Sequence, residues 1–334
     1  MSLSQFTLYT SGDASGPGPL SGTVGSVLTI LDACLVNGYT GKTAAGWTKP
    51  FSNASNIGCY QQGAGTGMTL VINDAGSGTG GAKEFLASGW SILTGIASGV
   101  GAGSGQFPTA AQLNTVGAVV GRKSNAASSS PRTWCVYADS ITFYFFMSSG
   151  DNAPSYMDFM FGDIFSLAGK ADAGRCMIIG RSIENNGGKG TSITGGGIDY
   201  MSAPANGSGG LNPGAFIGSD IAGAINSMTA YTFGNMGLAS SIASSTVPMA
   251  GIIPQINPYD QSFVLSPVFI VDANLALRGY LRGLYHPCHG VACFTDGQAF
   301  NGIADFYGKS FVIVKPGSSA GMYAIETSAT VSTN

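Results

Sequence analysis

Four residues that could bind a soft metal lie close together near the C-terminal end of the sequence: His286, Cys288, His289 and Cys293. Zinc in proteins is bound by the imidazole nitrogens and thiolate sulfurs that these side chains supply. Their spacing is poor for a structural zinc site, because such sites combine two separated ligand pairs, and the order needed for haem attachment is absent. We therefore expect a plain loop without a metal, with a metal site or a Cys288–Cys293 disulfide as the alternatives.

Other patterns that carry chemistry are incomplete. The glycine-rich stretches 63–67 and 76–81 are followed by strands or turns, whereas a dinucleotide site needs a helix directly after its glycines to face the phosphates. The chain has only two histidines, which limits acid–base chemistry. Carboxylate pairs such as Asp158 and Asp163 carry no sign of sharing a cleft. We expect no catalytic residue, no cofactor and no enzymatic activity.

Charged residues are sparse, at 9% of the chain, whereas apolar residues make up 44%. The net charge of −3 and the absence of a Lys/Arg run exclude the electrostatic footprint of a nucleic-acid binder. Residues 1–6 show no secretory signal and the longest apolar cluster, 141–147, is too short to span a bilayer, so we expect synthesis in the cytoplasm and no membrane partner. Because soluble surfaces are normally richer in charge, we expect neighbouring subunits to cover part of this one.

The clearest helical pattern runs over residues 20–38. Ser21 and Thr23 are candidate N-caps, and Asn37-Gly38 is a typical stop. The apolar spacing predicts that one face of this helix lines a core against a sheet, and the residues expected there are Val24, Leu28, Leu31 and Leu35.

Most of the remaining sequence predicts short strands, so the expected fold class is α+β, mostly β, with antiparallel sheets and one main N-terminal helix packed on a sheet. Residues 133–147 predict a hairpin, and packing in a core or between subunits is expected for its aromatic residues 143–146. Residues 95–105 predict a flexible loop. We expect three regions: a β-rich domain over 1–183, a Gly/Ser-rich insertion or linker over 184–250, and a C-terminal β-rich segment over 251–334.

Several short segments resemble virion structural proteins of tailed bacteriophages. The most specific is the run LDACLVNG at residues 31–38, and the others lie at residues 20–23, 46–50, 60–63, 159–163, 179–181, 277–285 and 308–311. The resemblance implies no catalytic residue and no cofactor. His289 matches a family position, whereas Cys288 and Cys293 depart from the pattern.

The resemblance implies a non-enzymatic structural subunit of a tailed-phage particle, in the tail or head–tail region, made in the host bacterial cytoplasm. Its partners would be other virion proteins and copies of itself. The alternative is an exterior receptor-binding or capsid-decorating protein that uses residues 184–250 to contact a host surface glycan or the capsid lattice.

Overall fold

The computed structural model describes residues 6–77, 81–97, 100–113, 117–148, 156–181, 198, 213–219, 229–231, 264–271, 276–287, 295–315 and 323–328. Within these ranges the chain is mostly β, with antiparallel sheets and one main helix, which confirms the predicted fold class. The strands are β1 Thr7–Thr10, β2 Thr48–Asn53, β3 Ile57–Gln61, β4 Thr69–Asn73, β5 Glu84–Ala97, β6 Val100–Phe107, β7 Val119–Arg122, β8 Trp134–Ala138, β9 Thr142–Ser148, β10 Tyr156–Asp163, β11 Phe165–Ser166, β12 Cys176–Arg181, β13 Pro213–Ile217, β14 Thr229–Tyr231, β15 Leu265–Val271, β16 Leu277–Pro287, β17 Ala299–Asn301, β18 Ser310–Val314 and β19 Tyr323–Ser328.

The strands form two sheets. The first sheet has the order β1-β8-β9-β10-β12-β7-β5-β4-β3-β2, with β6 added to β5 and β13 added to β12. The second sheet has the order β14-β15-β16-β19-β18-β17, with β11 added to β16. Strand β11 therefore joins a sheet built mainly from the C-terminal region, while β13 and β14 of the middle region join one sheet each. The predicted division at 183 and 250 stays a prediction.

The helix is shorter than the sequence pattern predicted. It begins as an α-helix over Ser26–Leu31, continues as a π-helix over Asp32–Asn37, and ends at Gly38 with φ 70°. The predicted stop is confirmed, but the predicted start at residue 20 and the Ser21 or Thr23 cap are wrong. The N-cap residue is Gly25, which has φ 79° and no side chain that could accept a capping hydrogen bond. A positive φ of this kind breaks a regular helix, so the helix cannot extend through Gly25.

The residues before Gly25 pack on the first sheet instead of entering the helix. Leu20 forms a β-bridge with Arg132, and the orphan N–H of Val27 donates to the Asp74 carboxylate at 3.0 Å. Consequently Val24 lies outside the helix and is 46% exposed, so its predicted place in the core is wrong. Leu28, Leu31 and Leu35 are buried as predicted.

Strand β9 is buried on both faces, and it separates two cores. Phe143, Phe145 and Met147 face the core shared with the helix, whereas Tyr144 and Phe146 face the core shared with the second sheet. A strand covered on both sides carries apolar side chains at every position, which explains the unbroken run at 143–147. The predicted hairpin is confirmed as β8 and β9.

The helix and its apolar face lie within the curve of the first sheet. Strands from opposite ends of the strand order, β2 and β8, both contact the π-helical segment. At the β2–β3 end, Asp32 is paired with Lys49 at 2.7 Å and accepts a hydrogen bond from Tyr60 Oη at 2.8 Å. The sheet is thus held around the helix by polar contacts as well as by the core.

Candidate functional site

The structure describes one of the four candidate metal ligands. His286 lies in β16, is 3% exposed and is opposite Ser266 of β15. Cys288, His289 and Cys293 lie outside the described residues. Within the described part of the chain, no group of three or more His, Cys, Asp or Glu residues is placed to hold a metal ion.

The sequence contains one hydrolase-like spacing, in which Ser319 has Gly317 and Gly321 two residues away on either side. A nucleophile elbow needs a strand before this serine and a helix directly after it. Strand β18 ends at Val314, and strand β19 begins at Tyr323, four positions after the serine. Ser319 itself lies outside the described residues, and the next described element after it is a strand, not the helix of the motif.

The four described cysteines are unpaired thiols. Cys34, Cys59 and Cys176 are buried, and Cys135 is half-buried against the core between the sheets. Burial raises the pKa of the Cys59 thiol to about 12 and raises the thiol pKa of the other three as well. Thiols are nucleophilic as thiolates, so these positions suit packing rather than chemistry.

The two carboxylates considered as a pair, Asp158 and Asp163, are held by separate sets of partners. Asp158 accepts hydrogen bonds from the Ile198 N–H at 2.7 Å and from Tyr323 Oη at 3.1 Å. Asp163 accepts from Thr66 Oγ1 at 2.6 Å and pairs with Arg175 at 3.0 Å. Each carboxylate ties a loop or strand to β10, and the structure does not bring them together in a cleft.

A third buried carboxylate, that of Glu84, is paired with two arginines from neighbouring strands. Glu84 of β5 is 2% exposed, lies opposite Arg122 of β7 in the sheet register and receives its guanidinium at 2.8 Å. Arg181 of β12 also donates to the same Glu84 oxygen. One carboxylate thus joins three strands of the first sheet, and all three charges are withdrawn from solvent.

Withdrawal of charge is general in the described structure. Among the charged residues whose side chains the structure describes, Lys170 and Asp296 alone are exposed, and the others are buried or half-buried. Many of these are paired internally, as in Lys49–Asp32, Arg278–Asp172, Arg282–Asp139 and Lys309–Glu326. The described exterior is therefore even poorer in charge than the composition of the chain.

An extension of the β5–β6 hairpin forms an uncharged surface. Strand β5 pairs with β4 only as far as Trp90, and β6 covers the other side of the strand out to Ala97. Residues 91–106 contain no charged residue and no proline. Leu93 and Ile96 pack on an outer apolar cluster of β3, β4 and β5, while Ile92 is 61% exposed.

The hairpin corrects the predicted flexible loop at 95–105. Its glycines indicated a loop, but Ser98-Gly99 is a dipeptide typical of turns and divides two uncharged halves that can pair. Beyond Trp90, no described strand pairs with the side of β5 opposite β6. This leaves a row of backbone donors and acceptors available for another strand.

In the described part of the chain, ionisable groups connect strands to one another, and the exterior offers uncharged surface and an unpaired strand edge. No helix in the described part of the chain has the length and apolar character needed to cross a bilayer. Neither a protein-family model nor a curated protein matches the sequence.

Proposed function

We propose that this chain is a non-enzymatic structural subunit of a tailed-phage particle, in the tail or head–tail region, and that it acts by packing against copies of itself and other particle proteins. The observation that carries the proposal is the near absence of exposed charge among the described residues. Surfaces that stay in water are kept apart by charge, whereas permanent interfaces are large and more apolar. The resemblance of residues 31–38 to virion proteins supplies the class of particle.

The edge of β5 beyond Trp90 is the contact surface that we assign to a second copy of the chain. Exposed edges are usually protected by charges, prolines or bulges that discourage pairing. Although the hairpin has a register shift between Leu93 and Gly95, residues 91–97 carry neither a charge nor a proline on that edge. Because antiparallel pairing of one edge with its own copy obeys two-fold symmetry, a second copy is a complementary partner without further requirements.

The first test is the mass of the purified chain in solution, measured by light scattering over a range of protein and salt concentrations. We expect the mass to rise with protein concentration and to change little between low and high salt, because uncharged contacts are not screened. A monomer at every concentration, together with absence of the chain from purified particles, would contradict the proposal.

The second test separates this role from the exterior alternative. If the chain is an internal structural subunit, phage that cannot make it should yield incomplete particles in electron micrographs. Complete particles that fail to adsorb to cells would instead indicate a receptor-binding protein. Complete particles that adsorb but lose stability would indicate a decorating protein.

A further inference from the structure

Lys123 and Asp74 form an ion pair in which both side chains are completely buried, at 0% exposure each. Asp74 directly follows β4 and Lys123 directly follows β7, and both strands pair with β5. Same-face positions on strands that flank a common neighbour lie about 9–10 Å apart, which a lysine and an aspartate span together. The fold therefore holds the amine against the carboxyl in direct contact.

The surroundings fix both groups in one orientation. Asp74 Oδ2 accepts a hydrogen bond from the Val27 N–H at 3.0 Å, which leaves Oδ1 for the lysine. Lys123 Nζ also donates to the Thr23 carbonyl oxygen at 2.5 Å. These contacts align the nitrogen with one carboxyl oxygen while the backbone holds the other.

The other lysine–carboxylate pairs between described residues differ in one respect. In Lys49–Asp32 the side chains are 22% and 29% exposed, and in Lys309–Glu326 they are 17% and 4% exposed. Water reaches at least one member of each of these pairs, which keeps the ions hydrated and a condensation reversible. Arginine pairs such as Arg122–Glu84 lack a nucleophilic amine at physiological pH.

Burial changes the chemistry of the two groups. It raises the pKa of the Asp74 carboxyl to about 6 and lowers the pKa of the Lys123 ammonium below its ordinary range. Both directions favour transfer of a proton from the ammonium to the carboxylate, because the neutral pair needs no solvation in the apolar interior. A proton transfer within the pair gives an uncharged amine beside an uncharged carboxylic acid, which are a nucleophile and its acyl acceptor.

We propose that Lys123 and Asp74 become joined by an intramolecular isopeptide bond. Nζ of the neutral amine attacks Cγ of the protonated carboxyl, and the Nζ–Cγ bond forms while the Cγ–Oδ1 bond breaks. The leaving hydroxyl takes one proton from the nitrogen and departs as water, so that a neutral secondary amide remains. No oxidant, reductant or further reactant is required.

Two backbone groups act on this step. The Val27 N–H already bonds Oδ2, the oxygen that carries negative charge in the tetrahedral intermediate, and a pre-placed donor of this kind stabilises such an intermediate. The Thr23 carbonyl positions the nitrogen. The product links the end of β4 to the end of β7 and closes the intervening chain into a loop, which restricts the unfolded state. This inference does not depend on the proposed function.

The test is the intact mass of the folded, soluble protein, measured by mass spectrometry under denaturing conditions. We expect the wild-type chain to be lighter than its sequence by the mass of one water molecule. The matched control is Lys123→Arg, which keeps the positive charge but cannot form the amide, and which should have its full sequence mass. A variant that failed to fold would also keep its full mass, so Lys123→Arg is compared only as folded, soluble protein, and the digest of the wild-type chain provides the test that needs no variant.

A proteolytic digest locates the bond. The wild-type digest should contain one branched peptide that joins the Asp74 and Lys123 segments, whereas the Lys49 and Asp32 segments should appear as separate linear peptides. A folded wild-type protein with its full sequence mass, or a mass loss retained in Lys123→Arg, would overturn the inference.

Discussion

The indole N–H of Trp47 donates a 2.6 Å hydrogen bond to the backbone carbonyl oxygen of Asp139, 92 positions later in the chain. Trp47 directly precedes β2, and Asp139 lies in the turn between β8 and β9. The bond therefore connects two parts of the first sheet that are far apart in its strand order. The same indole packs edge-on against Phe143, with the ring centroids 5.5 Å apart.

Replacement of Trp47 separates the bond from the packing. Trp47→Phe keeps an aromatic ring but leaves the Asp139 carbonyl without its donor, and we expect a loss of about 1–3 kcal/mol in the free energy of unfolding. Trp47→Ala also removes the packed ring and should lose about 3–5 kcal/mol. Urea denaturation measures both, and equal losses in the two variants would show that the ring contributes nothing.

Two positions that the helical pattern treats alike should respond differently to truncation. Leu31 is 0% exposed and Leu31→Ala should lower the free energy of unfolding by about 2–5 kcal/mol. Val24 is 46% exposed and lies before the helix, so Val24→Ala should change it by less than about 0.5 kcal/mol. Similar losses at both positions would mean that Val24 belongs to the core after all.

Substitution of Glu84 should lower the free energy of unfolding strongly, because its carboxylate lies between two buried guanidinium groups. Glu84→Gln removes the negative charge between two buried guanidinium groups, and breaking a buried pair in this way loses roughly 3–5 kcal/mol. Asp296→Asn, at an exposed carboxylate, is the control and should have an effect below about 0.5 kcal/mol. Thermal unfolding of the two variants at the same pH gives the comparison.

A charge on the hairpin edge should block assembly without affecting the fold. Ile92 is 61% exposed, so Ile92→Lys should leave the unfolding transition within about 0.5 kcal/mol of wild type. A lysine on an edge strand discourages pairing with another strand, and we expect the mass in solution to fall to that of the monomer.

Ile303→Lys is the matched control for this experiment. Ile303 is 59% exposed but lies near β17, in the second sheet. Assembly lost equally in both variants would indicate a general effect of charge rather than the β5 edge.

Alkaline pH should destabilise the fold through buried phenol and thiol groups. Burial raises the pKa of Tyr9 from 10.0 to about 12 and that of Cys59 from 9.0 to about 12. A folded-state pKa raised above the unfolded value gives a contribution that is complete below the unfolded pKa. That contribution is lost as the pH rises through the folded value.

We therefore expect the free energy of unfolding to decline between about pH 9 and pH 12. Cys59→Ala should make the decline shallower in urea titrations across this range. A decline of the same steepness in Cys59→Ala would exclude the thiol as a contributor.

Local sequence patterns were enough to predict the fold class. They did not predict where the helix begins or that residues 91–106 form a hairpin. Short apolar runs bounded by turn residues identify β3, β4, β8 and β9, because a strand buried on both faces is apolar along its whole length. The start of the helix depended on Gly25 and on Asp74, which lies 47 positions from the N–H that it binds. The hairpin at 91–106 was missed because glycine content indicates a loop unless a pairing partner is known.

The amino-acid sequence by itself determined a β-rich, sparsely charged chain with one helix and an aromatic core, since composition and periodicity are properties of local stretches. Tertiary structure alone decided which charges are hidden and which carboxylate meets which cation. Strand pairing brings Glu84, Arg122 and Arg181 together from three separate segments, and it places Lys123 against Asp74. Such contacts arise from register between distant strands, and no spacing along the chain encodes them.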